Sequence, residues 1–287
     1  MTAAVERLRV PDVVIQPAKG WTSLGLKEVW EYRELLYFLA WRDVKVRYKQ
    51  TLLGVAWAVL QPLLQMLIFT IFFGRLAQVG SEGLPYPLFS FAGLLPWSLF
   101  SLGLTQSSGS LVTQANLIKK VYFPRLVVPI SSVLAALVDF GVAFLVLLGL
   151  MAHYRVPPAI TILFLPLLLL LTLATALGVG IWFAALNVQY RDVRYVLPFF
   201  VQMWLFVTPV IYPGTRVTAK LAGLGIPGWV YGLNPMAGVV EGFRWALFRG
   251  NACPYGLLVS STLSASVILI SGAFYFRRTE RIFADVV

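Results

Sequence analysis

Trp57, Gln61 and Gln65 stand at four-residue spacing inside an apolar stretch of this chain. Four-residue steps fall on one helical face, so an indole and two carboxamides are presented side by side. Each carboxamide both donates and accepts hydrogen bonds, and within lipid it needs protein, water or a polar ligand to meet it. Ser98, Ser101, Thr105 and Ser108 place four hydroxyls on a second helical face. Such small hydroxyl residues let helices pack closely; a polar strip bordering a conduit is the alternative. Phe199, Phe200, Trp204, Phe206 and Tyr212 crowd a third segment. Their rings suit packing, an interfacial belt and stacking on sugar faces alike. The last group is cationic: Arg42, Lys45, Arg47 and Lys49 face a single Asp43. Such a run anchors a chain at the cytoplasmic membrane surface, and it can also attract a phosphate or pyrophosphate head group there.

Groups for bond-breaking chemistry are scarce. There is no GxxxxGK[ST] phosphate loop, so nucleotide hydrolysis of the usual kind is excluded on this chain. One cysteine, Cys253, and one histidine, His153, leave no disulfide and no metal-ligating constellation. Asp139 is the lone acid deep in an apolar segment, where a charge costs about 2.5–3.5 kcal/mol. It reads either as a structural carboxyl bonded to polar neighbours or a basic residue, or as a functional group. A proton-coupled carrier would need a relay of such groups. An enzyme acting on polyprenyl phosphates would need clustered carboxylates, and only Asp43 and Asp192 lie near a membrane surface.

The elements that must position these residues are membrane helices. The 287 residues are 59% hydrophobic and 12% charged, with a mean hydropathy of +0.80. Soluble domains carry about 25% charged residues. The net charge of +11 is accordingly assigned to membrane orientation, not to nucleic acid. The first apolar run begins near Leu52, too late for a cleaved secretory signal. Residues 1–51 are expected to form a cytoplasmic N-terminal segment, irregular up to about residue 27. From Glu28 to Tyr48 it becomes an amphipathic interface helix with Leu35, Leu36, Leu39 and Val46 on one side. Residues 52–287 are expected to form an all-α domain of six spans, near 52–76, 88–111, 126–152, 160–186, 196–212 and 255–276. Pro62 predicts a kink in the first. With the N-terminus inside, nine basic residues precede the first span. Three follow the second span, two the fourth and three the sixth, against six outside. That imbalance puts both termini in the cytoplasm. Residues 213–254 are too broken by Pro and Gly to cross. Within them Pro235–Arg249 predicts a helix with Asn234 as N-cap and Gly250 as its end, in an outer re-entrant or interfacial hairpin. Arg-Asp-Val recurs at 42–44 and 191–193, but no longer repeat accompanies it.

WRDVKVRYKQTLLGVAWAVLQP (41–62) resembles the opening of the permease subunits of ABC transporters that export lipid-linked polysaccharides. The likeness continues through YPLF (86–89), LPW (95–97), KVYFPR (120–125), NVQYRDVRY (187–195), TPVIYP (208–213) and NPM (234–236). It is greatest to O-antigen exporters, with teichoic acid exporters next and capsule exporters more distant. The resemblance implies a homodimer of six-span subunits in the bacterial inner membrane, carried on two copies of a separate ATP-binding subunit. ATP and Mg would sit on that partner and no cofactor on this chain. It implies that Asn116, Leu117, Lys119, Lys120, Tyr122 and Phe123, after the second span, dock on the ATPase. The first and fifth spans would border the conduit and the outer re-entrant helices would help to close it. The cargo implied is an undecaprenyl-pyrophosphate-linked polysaccharide.

Overall fold

The computed structural model describes residues 26–49, 54, 56–190, 192–250, 252–280 and 283. Expectations for the first 25 residues, for the span start at Leu52 and for Arg191 and Arg281 lie outside the described residues. All regular structure among those described is helical.

Helix α1 (Leu26–Glu31) leads almost directly into α2 (Arg33–Lys49), because the amides of Tyr32 and Leu36 still donate to Glu28 and Tyr32 carbonyls. Leu39 and Val44 are the buried residues of α2, while Val46 is 68% exposed. The expected apolar side therefore does not run the length of the helix. Its contact surface shifts round the axis as its neighbours change. Leu39 meets an apolar cluster with Phe123, Leu126 and Phe276, whereas two turns on Arg47 and Tyr48 meet polar groups of the bundle.

Five helical runs are long and apolar enough to cross a membrane: Ala56–Leu76, Tyr86–Thr113, Val127–His153, Ile160–Gln189 and Tyr255–Thr279. The first comprises α3 (Ala56–Phe69) and a π-helical continuation, Thr70–Leu76. Its winding stays helical through Pro62, and the departure from α geometry comes later, where the Ala77 amide reaches back to Phe72 at 2.9 Å. The others are α4 (Tyr86–Thr113), α6 (Val127–His153), α7 (Leu165–Gln189, entered through a 3₁₀ turn) and α11 (Tyr255–Thr279). Between α4 and α6 lies the short α5 (Ala115–Lys120).

The expected fifth span is shorter than predicted. Helix α8 (Val193–Val207) has 15 residues, about 22 Å, against a hydrocarbon core of roughly 30 Å. It stops because Thr208 precedes Pro209, which drives Thr208 into the extended conformation it adopts. Helix α8 meets α4 through Trp204, edge-on to Phe100 with ring centroids 4.9 Å apart, and its extended tail is tied to the start of α4 by Arg244, which donates to Val210 while its guanidinium lies 3.6 Å from the Phe89 ring. Asn187, near the end of α7, donates to the Ser108 carbonyl at 3.0 Å.

Helix α4 is the axis of the bundle, packed by α3, α6, α7, α8 and the outer helix α10 (Pro235–Leu247). Leu88 to Trp97 is buried without a break. Small residues permit this: a Cβ on Gly180 of α7 would lie 2.6 Å from Ser107 Oγ of α4. A Cβ on Gly272 of α11 would meet the Gly178 carbonyl at 2.6 Å. In lipid, where tails are as apolar as side chains, such close approach is what drives helices together.

Outside the spans, α9 (Gly214–Gly223) and a 3₁₀ turn at Gly228–Leu233 precede α10. Asn234 caps α10 through its side chain, which accepts from Met236 N at 3.1 Å, with Pro235 in the first turn. The helix ends at Leu247, three residues short of Gly250, where Phe248 turns extended. Every residue of α10 except Trp245 is buried, so it lies within protein rather than on a lipid interface.

Candidate functional site

A cleft of about 700 Å³ lies between α3, α4, α6 and α8. It gathers Trp57, Gln61 and Gln65 with Ser98, Ser101 and Thr105, six of the residues predicted for a substrate path. Ser108 is buried beyond it. Phe199 is 63% exposed and does not line the cleft. Trp204 and Tyr212 fasten the end of α8. The Trp204 indole donates to Asn234 Oδ1 at 2.8 Å, and the Tyr212 hydroxyl donates to the Phe206 carbonyl at 2.9 Å. Tyr231 likewise donates to the Val207 carbonyl at 2.8 Å. These bonds satisfy carbonyls that the end of a helix leaves unpaired.

Three of the four hydroxyls of the strip are already bonded within their own helix. Thr105 Oγ1 donates to the Ser101 carbonyl at 2.7 Å, and Ser101 and Ser108 reach back similarly at 3.2 Å. They can therefore border a cleft at little cost while keeping acceptor capacity. The carboxamides differ: Gln61 and Gln65, and Gln202 of α8 which joins them in the cleft, make no side-chain hydrogen bond among the described residues. Gln202 went unremarked in the sequence. The signal that marked Gln61 and Gln65, an amide in an apolar span, marks it equally.

At the end nearest α2 the cleft meets a polar knot. Arg47 donates to Asp139 Oδ2 and to Gln106 Oε1, and the Tyr48 hydroxyl donates to Asp139 Oδ1. Asp139 thus has the basic and polar partners that its structural reading requires. Burial, and then the bond to Asp139, push the Tyr48 phenol up to about 12, so it remains a donor at any physiological pH. The basic run is consequently divided. Arg47 turns inward; Lys45 and Lys49 are exposed, with the Lys45 ammonium 5.6 Å from the Trp41 ring. Arg42 pairs with its neighbour Asp43 at 2.8 Å.

At the α5 end of the bundle, Asn116, Lys119, Lys120 and Tyr122 of the segment after α4 are exposed, and Leu117 is half-buried. Phe123 is 4% exposed, so it anchors this segment and does not project from it. Arg125 ties the segment to the end of α11. Its side chain donates to the Glu280 carbonyl, its amide donates to Glu280 Oε1 at 3.3 Å, and Arg277 pairs with Glu280 at 3.0 Å.

A second knot closes the other end. Arg244 is 1% exposed. It donates to the carbonyls of Pro209 at 2.6 Å and Val210 at 2.8 Å and to Glu241 Oε1 at 2.9 Å. Glu241 in turn accepts from the Gly214 amide at 2.9 Å. The extended segment left by Pro209 has carbonyls that no helix can satisfy, and Arg244 supplies the donors.

An all-helical membrane bundle with an amide-lined cleft and an exposed basic segment after its second span has the build of a transporter's membrane subunit. Residues 34–248 match the family model for the ABC-2 type transporter, and the chain belongs to that family: it is a permease subunit, not an enzyme, and works with an ABC ATP-binding partner. Among particular relatives, the O-antigen export system permease protein RfbA of Myxococcus xanthus is 30% identical over 259 residues, 89% of this chain and 96% of that protein. RfbA of Klebsiella pneumoniae is 27% identical over 254 residues, 88% of this chain and 95% of that protein. The polysialic acid transport protein KpsM of Escherichia coli is 28% identical over 245 residues, 83% and 91% of the two chains.

Proposed function

We propose that this chain is the transmembrane subunit of an ATP-driven exporter that moves an undecaprenyl-pyrophosphate-linked polysaccharide of O-antigen type across the bacterial inner membrane. The observation that carries this reading is the cleft, in which Gln61, Gln65 and Gln202 stand without partners among the described residues beside Trp57. Unpaired amides at membrane depth persist only where something polar meets them. A glycan offers hydroxyl donors and acceptors at every residue and a ring face for the indole. Two relatives named for O-antigen export support the cargo class.

The subunit acts as a homodimer on two ATP-binding subunits, which hold the ATP and Mg. In support, the exposed apolar side chains Leu60, Leu64 and Leu67 of α3 and Val196 and Met203 of α8 lie on the two helices flanking the cleft. A second copy would cover these faces and close the cleft into a conduit. Helix α8 with its extended tail makes the sixth crossing, supported by Trp204 against Phe100 of α4 and by the tail that Arg244 ties to Phe89, roughly 16 Å further along α4. Both termini are then cytoplasmic, as the basic residues require. Residues 1–51 form the cytoplasmic segment and 52–287 the permease domain. Asn116, Leu117, Lys119, Lys120 and Tyr122 take the motion of the ATPase, and Arg42, Lys45, Arg47 and Lys49 meet the pyrophosphate head group at the bilayer surface. A capsule polysaccharide is the second reading, favoured by the likeness to KpsM.

Co-expression with a candidate ATPase, followed by mass spectrometry of the co-purified glycolipid, tests the reading. An ATPase and a polyprenyl-linked glycan should come down together. Export that persists at wild-type rate in a Gln61→Leu/Gln65→Leu/Gln202→Leu variant refutes the path.

A further inference from the structure

We propose that Asp139 is a built-in competitor for the anion site of this permease. Its carboxylate occupies the place on Arg47 that a phosphate oxygen of the cargo lipid takes, so that arrival of the head group exchanges one partner for the other and frees the end of α2 from α6. This inference rests on the cargo reading above, because it concerns the phosphate end of the same ligand.

Four observations carry it. Arg47 and Asp139 both line the cleft, and their side chains retain 23% and 17% exposure, so a ligand in the cleft can reach them. The guanidinium is spread over two acceptors, Asp139 through Nη1 and Gln106 through Nη2. That is the forked arrangement in which a guanidinium takes two oxygens of a phosphate. The pair is electrically neutral, with Tyr48 and Gln106 as uncharged neighbours, so an arriving dianion finds no net attraction until the carboxylate gives way. Finally, α2 has apolar anchors of its own, Leu39 and Val44, both less than 9% exposed. The Arg47–Asp139 pair is therefore free to act as the releasable attachment of the last turn. After exchange Asp139 keeps the Tyr48 hydroxyl as donor, while exposed Lys49 on the same turn can follow the phosphate.

Removing the competitor and adding another must act in opposite directions. In the purified permease–ATPase complex in nanodiscs, binding of farnesyl pyrophosphate and of inorganic pyrophosphate is measured for wild type, Asp139→Asn, Gln106→Glu and Arg47→Gln. Asp139→Asn should bind the anion about tenfold tighter, the loss of one charge-assisted competitor. Gln106→Glu, which adds a second carboxylate to the guanidinium, should bind at least several-fold weaker, and Arg47→Gln should lose binding. Tightening for both probes identifies the phosphate itself as the ligand group; tightening for the farnesyl probe alone identifies the membrane-bound head group. A purely structural pair would lower the melting temperature in Asp139→Asn with no gain in affinity, and that result overturns the proposal. If Asp139→Asn does not assemble, Gln106→Glu decides: unchanged affinity in that variant overturns it equally. Wild-type complex that binds neither probe refutes the cargo reading itself, whereas wild-type binding with unaltered variants refutes the competitor alone.

Discussion

Replacing Arg244 by Met removes the guanidinium that holds the outer helix α10 to the extended end of α8 and to α4. The substitution leaves the carbonyls of Pro209 and Val210 without their donors, which now sit at 2.6 and 2.8 Å. It also strands Glu241, 8% exposed, with only the Gly214 amide as partner. Breaking a buried ion pair from one side costs roughly 3–5 kcal/mol. The converse change, Glu241→Gln, leaves Arg244 its two carbonyls and the Phe89 ring at 3.6 Å, and retains a neutral acceptor for Gly214. It should cost about 1–2 kcal/mol. The order of the singles is thus set by what each leaves behind. Because both act on one pair, the double variant Arg244→Met/Glu241→Gln should be less destabilised than the sum by at least about 1 kcal/mol. Equilibrium unfolding by SDS titration in mixed micelles, followed by tryptophan fluorescence, reads all four proteins. A loss below 1 kcal/mol for Arg244→Met, or strictly additive singles, refutes the account of a buried charge held by carbonyls.

Helix contact makes a second prediction. Gly180→Ala drives a Cβ to within 2.6 Å of Ser107 Oγ and should cost about 1–3 kcal/mol by overpacking; Ser107→Gly should restore most of it in the same unfolding assay. The cleft amides make a third: Gln61→Leu/Gln65→Leu/Gln202→Leu should unfold no earlier than wild type in a thermal melt while export falls, because these amides bond to no side chain or carbonyl among the described residues. Topology gives a fourth. Cys253 lies outside the spans, on the outer side under the proposed orientation, and a membrane-impermeant maleimide should label it in intact spheroplasts; labelling only after lysis overturns that orientation. Burial pushes this thiol above its ordinary 9.0. Since the thiolate is the reactive form, its labelling rate should reach half of its maximum at a higher pH than that of a free cysteine.

Much of the molecule was legible because membrane helices announce themselves locally. A run of apolar residues long enough to span must form helix, since its backbone has no other partner in lipid. Gln61, Gln65 and the hydroxyl strip could be paired by helical spacing, since the period of a helix is known before its neighbours are. The N-cap at Asn234 was legible for the same reason: Pro235 and the Asn side chain act within two residues. The length of α8 was less so, because Pro209 ends the helix while the apolar pattern runs on to Tyr212.

What the sequence by itself determined is the five long apolar helices, the uneven distribution of basic residues along the chain and the polar faces of α3 and α4. Only the tertiary structure decided which of these faces share a cleft. It brought Gln202 to Gln61 and Gln65 across two helices, and it withdrew Trp204 and Tyr212 into bonds that close the end of α8. It also turned Arg47, one of four similar cations in the sequence, inward to Asp139, 92 residues away. Spacing along one helix cannot specify such a partner. The choice is made by the crossing of α2 over α6, and hence by the packing of small residues that lets α4, α6 and α7 approach so closely.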